Sequence, residues 1–135
     1  MVVVDSSVWI DHFNGRDTPG TRGLTALLRD GEARLVVPDL VLFEVLRGFR
    51  HDEAHREASE ALGALGVEVV GGAPLAHRAA QMYRNLRRLG ITVRSPIDAL
   101  LAAFCLQRGY ALLHADRDFD AYATHHGLHC WRGVT

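Results

Sequence analysis

Three valines, Val2 to Val4, open the chain as a short apolar run that stops at Asp5. An unbroken apolar run of this kind reads as a strand buried on both faces. Residues 1–5 are therefore expected to form one. Apolar positions then recur at helical spacing over Ser7 to Phe13 and over Gly20 to Arg29. Leu35 to Val37 read as a second strand stopped by Pro38, followed by helices over Asp39 to Phe49 and Asp52 to Leu65. Val67 to Val70 read as a strand closed by Gly71 and Gly72. Leu75, Ala79, Met82, Tyr83 and Leu86 keep helical spacing up to Gly90. Pro96 to Gln107 is a strongly apolar helix ended by Gly109. Ala111 to His114 read as a strand, Phe119 to Thr124 as a short helix and Leu128 to Trp131 as a last strand. Strands separated by helices imply an α/β fold with a central, mostly parallel sheet between layers of helices.

No repeat, low-complexity tract or linker interrupts this pattern. With 135 residues, 48% hydrophobic and 23% charged, the whole of 1–135 is expected to form one domain with one core. The apolar runs are too short to span a bilayer. No basic region precedes the valines, so no signal peptide is expected and a cytoplasmic protein is. Cys105 and Cys130 lack metal-type or redox-type spacing and read as buried reduced thiols.

The net charge of −1 gives no overall basic footprint for nucleic acid. All 15 basic residues are arginine. Without a lysine, P-loop NTPase, Schiff-base and protein-kinase chemistry are excluded. GxSxG and GxGxxG are absent too. His51 and His55 lie four apart on a charged helix but without an HExxH pattern, and a solvated face explains them better. His125, His126 and His129 read as surface. Arg84, Arg87, Arg88 and Arg94 read as a solvated helix face rather than an RNA contact.

The acids carry the chemistry. In an open parallel sheet, ligands bind beyond the carboxyl ends of the strands. Asp5 follows the first strand directly, and Asp116 and Asp118 follow the strand ALLH. Glu44 is the only charge in LVLFEVL. It is either a carboxylate on an apolar face or half of a surface pair with Arg47, and the two readings stand level. Asp98 lies three residues after Ser95 in RSPIDALLAAF. Alone, Ser95-x-x-Asp98 is best read as a capping-box variant at a helix start. Asp116, Asp118 and Asp120 repel one another unless a cation or an arginine such as Arg117 lies near. Together, acids at element boundaries would suit a hard cation, Mg²⁺ or Mn²⁺, over zinc. A metal-dependent phosphodiesterase is the physical reading.

Three segments in order carry a resemblance: VVVDSSVWID, PDLVLFEVLRGFR and RSPIDALLAAFCLQRGYALLHADRDFD. Over nearly its whole length the chain resembles the PIN-domain ribonucleases, in particular VapC-type toxins of toxin–antitoxin pairs. The resemblance implies a three-layer α/β/α fold and an acidic Mg²⁺ or Mn²⁺ site acting on RNA. Its acids fall on Asp5, Glu44, Asp98 and Asp116, with Asp5, Asp98 and Asp116 holding the metal and Glu44 helping or orienting water. Asp118 resembles the auxiliary acid, and Ser7 the small polar support of the first aspartate. The capping role then moves to Ser6. One departure is plain: His114 stands where the family usually has threonine or serine.

The resemblance also implies a homodimer and a VapB-type antitoxin. An antitoxin would lay an extended segment over the acids and fill an apolar groove near Trp9, Phe13 and Phe43. Hydrolysis would leave a 5′-phosphate and a 3′-hydroxyl. A haloacid-dehalogenase-type phosphatase also ends its first strand in aspartate, but it wants a second aspartate at Ser7 and a lysine. A receiver domain fails on the same missing lysine. A catalytically silent PIN-like module that binds RNA or protein stands as the alternative from another class.

Overall fold

The computed structural model describes residues 1–31 and 33–132. In chain order the elements are β1 (Val2–Val4), α1 (Ser6–Phe13), α2 (Pro19–Asp30), β2 (Leu35–Pro38), α3 (Asp39–Leu46), α4 (Asp52–Ala64), β3 (Val67–Glu68), α5 (Ala73–Arg88), α6 (Pro96–Arg108), β4 (Ala111–Leu113) and α7 (Asp118–His126). The strands form one sheet in the order β3-β2-β1-β4, and every pair is parallel. Parallel strands need crossovers, and the helices supply them on the sheet faces.

β1 has a neighbour on each side. Val2 is level with Leu35 and Ala111, and Val4 with Leu113. All three valines are buried, which is why this strand reads as a continuous apolar run rather than an alternating one. The Asp5 N–H donates to the Leu113 carbonyl at 2.9 Å. The chain therefore leaves β1 and β4 at the same edge of the sheet. Above the sheet, α6 buries Ala99, Leu101, Ala102, Ala103, Phe104 and Cys105 along one apolar helix, closed by Gly109 at φ 71°. That left-handed conformation favours glycine and stops the helix.

Local chemistry moved several boundaries. Asp5, not Ser6, is the N-cap of α1, and Ser6 is already inside the helix. α3 ends at Leu46 rather than Phe49. β3 stops at Glu68 rather than Val70, because the Val70 N–H donates to the Asp39 carboxylate at 3.0 Å instead of a ladder partner. The expected last strand is a single parallel bridge between Leu112 and Cys130. Its two hydrogen bonds run from Leu112 N–H to His129 O at 2.9 Å and from Trp131 N–H to Leu112 O at 2.8 Å. Cys105 is buried and Cys130 partly so, and both are free thiols. Among the described residues, no helix is long and apolar enough to cross a membrane.

Candidate active site

Asp5 sits where β1 turns into α1. Its Oδ2 accepts the Ser7 hydroxyl at 2.6 Å and the Ser7 N–H at 3.4 Å. It is therefore both a helix cap and a buried acid, 4% exposed. Burial pushes its carboxyl above the usual range, the bonds from Ser7 and Ser6 pull it back, and Asp116 adds repulsion. Ser7 thus fixes the direction of the Asp5 carboxylate.

Asp98 comes from the first turn of α6 and is 7% exposed. Its backbone N–H donates to the Ser95 carbonyl at 3.2 Å. Ser95 is the N-cap by position, but its side chain makes no capping bond, so the capping-box reading does not hold. The side chain faces other acids instead. Its pKa is pushed up to about 7, by burial first and then by the charges of Asp5, Asp116, Glu44 and Asp118. Glu44 of α3 is half-buried. Burial raises its pKa, with Asp5 adding to the rise and Ser6 and Arg47 opposing it. Among the described residues no Glu44–Arg47 ion pair forms, and Arg47 lies over the Phe43 ring at 5.8 Å. The apolar-face reading of Glu44 is the one the fold adopts.

Asp116 and Asp118 leave the end of β4 and enter α7. The Asp118 N–H donates to Asp116 Oδ1 at 2.9 Å, which fixes the turn. One carboxylate oxygen from each of Asp98, Asp116 and Asp118 lies within 4.8 Å of the other two. Carboxylate oxygens are the donors that a hard cation takes, so these three would hold one by drawing together around it. Asp5 and Glu44 border the trio through their mutual repulsion with Asp98. The expected partner Arg117 is not the one that answers these charges. Arg94, in the loop before α6, lies 3.5 Å from Asp118 and 3.8 Å from Asp116. Its N–H also donates to Asp118 at 3.2 Å. The guanidinium is 78% exposed, so it screens the acids without neutralising them.

A PIN domain family model matches residues 2–124. The chain belongs to the PIN-domain family. Its relatives place it beside the VapC proteins. It is 32% identical over 123 residues to VapC ribonuclease Mb1587 of Mycobacterium bovis and to Ribonuclease VapC11 of Mycobacterium tuberculosis, covering 91% of this chain and 92% of each relative. The VapBC2 structure from Rickettsia felis bound to a promoter DNA fragment superposes with a TM-score of 0.75 at 12% identity, over 97% of this chain and 98% of that one. The Mycobacterium tuberculosis VapC20 structure, described as a sarcin-ricin loop cleaving toxin, gives 0.67 at 25% identity, over 90% and 94%.

In this VapC-type PIN domain, two residues near the acids carried no clear sequence signal. Arg94 was grouped with a helix face, yet it lies in a loop folded back on α7. Tyr122 is fully buried, and its hydroxyl has no hydrogen-bond partner among the described residues. Its spacing of four from Asp118 was the available signal. His114, at the position of the family's usual threonine or serine, places Nε2 3.2 Å from Cys130 Sγ. That contact ties the strand end below Asp116 to the terminal bridge. The aromatic face near α1 is also narrower than expected. Trp9 is buried and stacked on Phe13, and Phe43, 59% exposed, is the residue that projects.

Proposed function

We propose that this chain is the toxin of a toxin–antitoxin pair and hydrolyses RNA phosphodiester bonds at the acidic edge of its sheet with Mg²⁺ or Mn²⁺. The observation that carries the reading is the convergence of Asp5, Glu44, Asp98, Asp116 and Asp118 at that edge, where among the described residues the ion pairs to these acids are made by the exposed Arg94. Such charge density is costly to assemble unless a cation joins it. Relatives named as ribonucleases support the chemistry.

Asp5, Asp98 and Asp116 would hold the ion. The oxygens that lie within 4.8 Å of one another are those of Asp98, Asp116 and Asp118, so Asp118 would also be in reach and Asp5 would have to approach from the β1 end. When bound, the ion would supply acidification of water and neutralisation of charge at the phosphate. Ser7 fixes the Asp5 carboxylate in direction. Glu44 would help hold the ion or orient the attacking water. Arg94 offers a guanidinium to a substrate phosphate. Cleavage would leave a 5′-phosphate and a 3′-hydroxyl.

The toxin reading is supported by neighbours that are toxin–antitoxin assemblies, among them a complex from Klebsiella pneumoniae with a TM-score of 0.68 at 18% identity, over 100% of this chain and 97% of that one. A VapB-type antitoxin would lay an arginine on the acids and apolar side chains around Phe13, Phe43 and Phe49. A homodimer of one-domain chains in the cytoplasm completes the proposal. The silent-module alternative draws only on His114, since every acid is retained.

End-mapping of cellular RNA after induction tests the reading. Wild type should create new 5′-phosphate ends and Asp98→Asn none. Identical end profiles from the two would contradict it. Titration with an antitoxin peptide should extinguish cleavage, and unchanged cleavage would refute the neutralisation claim.

A further inference from the structure

Among the described residues, Tyr122 is the one large polar side chain that the core swallows completely, at 0% exposed. A buried hydroxyl that bonds nothing is costly, so native proteins rarely keep one without a use. Nothing in the packing requires the oxygen, because a phenylalanine has the same ring. Tyr122 lies four residues after Asp118 on α7, so the two share a face. Long side chains on a helix lean back toward its N-terminus. The ring therefore reaches from the second turn of α7 toward the turn that carries Asp118. α7 packs against α6, whose first turn carries Asp98. Tyr122 therefore lies on the face of α7 that carries Asp118, in the layer packed against the helix that carries Asp98. Its own pKa agrees, being raised to about 12 by burial first and by the Asp98 charge next, with Tyr83 and Asp118 following.

We propose that Tyr122 is a positioning residue for the acidic site, its buried hydroxyl donating to the Asp98 carboxylate when that carboxylate holds a divalent cation. The inference rests on the metal-dependent reading of the site. It adds a donor from behind the ligand, where a hydrogen bond fixes the carboxylate and favours its charged form.

Calorimetric titration with Mn²⁺ tests this on wild type, Tyr122→Phe and the control Tyr83→Phe, with thermal melts in EDTA alongside. Tyr122→Phe should weaken Mn²⁺ binding by about tenfold or more, the size typical of losing a partner behind a metal ligand. Its melting temperature in EDTA should equal or exceed that of wild type. Saturating Mn²⁺ should restore most of the cleavage rate, so the loss appears in metal affinity rather than in kcat. Unchanged Mn²⁺ affinity in Tyr122→Phe, with wild type binding normally, would overturn the proposal while sparing the metal reading. An equal weakening in Tyr83→Phe would overturn the assignment to Tyr122. A Tyr122→Phe variant that melts earlier in EDTA, or does not fold, would make the hydroxyl a structural group and overturn it also. A wild type that binds no Mn²⁺ would overturn both readings together.

Discussion

Two carboxylate environments lie on the same small sheet and could hardly differ more in how they are answered. Glu68, at the end of edge strand β3, accepts the Tyr110 hydroxyl at 2.9 and 3.0 Å and the Arg108 guanidinium at 3.1 Å. Every partner needed to hold its charge is supplied by the chain. At the carboxyl edge of the central strands, Asp5, Glu44, Asp98, Asp116 and Asp118 repel one another, and among the described residues the ion pairs to them come from Arg94, on the solvent side. Glu68 ties an edge strand to the α6–β4 junction. The acidic group, on the proposed reading, is completed by a cation. Satisfaction of charge, rather than burial or position alone, separates a structural carboxylate from a candidate site.

The largest expected effect comes from neutralising the unfinished group. Asp98→Asn or Asp116→Asn should reduce RNA cleavage to background, measured with a fluorescent oligonucleotide in Mn²⁺. The same variants should melt no lower than wild type in EDTA, because each removes a repelling charge. Asp5 separates two roles. Asp5→Asn should lose cleavage yet keep the cap of α1, since asparagine caps well. Asp5→Ala should lose cleavage and about 1 kcal/mol of stability, measured by urea unfolding. Equal stability of the two would show that the cap at Asp5 contributes nothing.

Glu68 should behave oppositely. Tyr110→Phe should cost about 1 kcal/mol, discounted for partial exposure, and leave cleavage unchanged. Smaller again is the pH response of the metal-free protein. The raised Asp98 pKa means the native state keeps its proton above the pH at which the unfolded chain loses it. Stability in EDTA should therefore be fullest below the ordinary aspartate range and fall as pH rises toward about 7. Mg²⁺ should restore the loss on the alkaline side. Melting curves from pH 4 to 8, with and without Mg²⁺, check the sign. The smallest effect is expected at Arg94. Arg94→Ala should tighten Mn²⁺ binding by no more than about fivefold, the ceiling for an exposed ion pair.

Much of this arrangement was legible in the chain. The valine run named the central strand because burial on both faces leaves no alternation to read. Glu44 stood out as the only charge in an apolar helix, whereas Asp5, Asp98 and Asp116 each had an ordinary helix-start reading alone and gained meaning only together. What resisted reading was nonlocal or dual. Asp5 both caps α1 and faces the acids, and a choice between those roles was false. Arg94 follows a helix rich in arginine, and only the fold of the α5–α6 loop turns it onto Asp118. Val70 leaves the sheet because Asp39, 31 residues earlier, takes its N–H. The His129–Trp131 segment needed β4 as a neighbour to become even a bridge. Tyr122 hid within a run of acids, its burial decided by packing of α7 on α6.

The central claim is that the unanswered charge at the sheet edge is completed by a divalent cation in order to cut RNA. Cleavage of a defined RNA by the purified chain, titrated with Mn²⁺ from an EDTA baseline and followed by end analysis, tests it most directly. The account predicts no cleavage in EDTA, saturable activation by Mn²⁺ and 5′-phosphate ends, all absent in Asp98→Asn. Full cleavage in EDTA with 2′,3′-cyclic phosphate ends would contradict it.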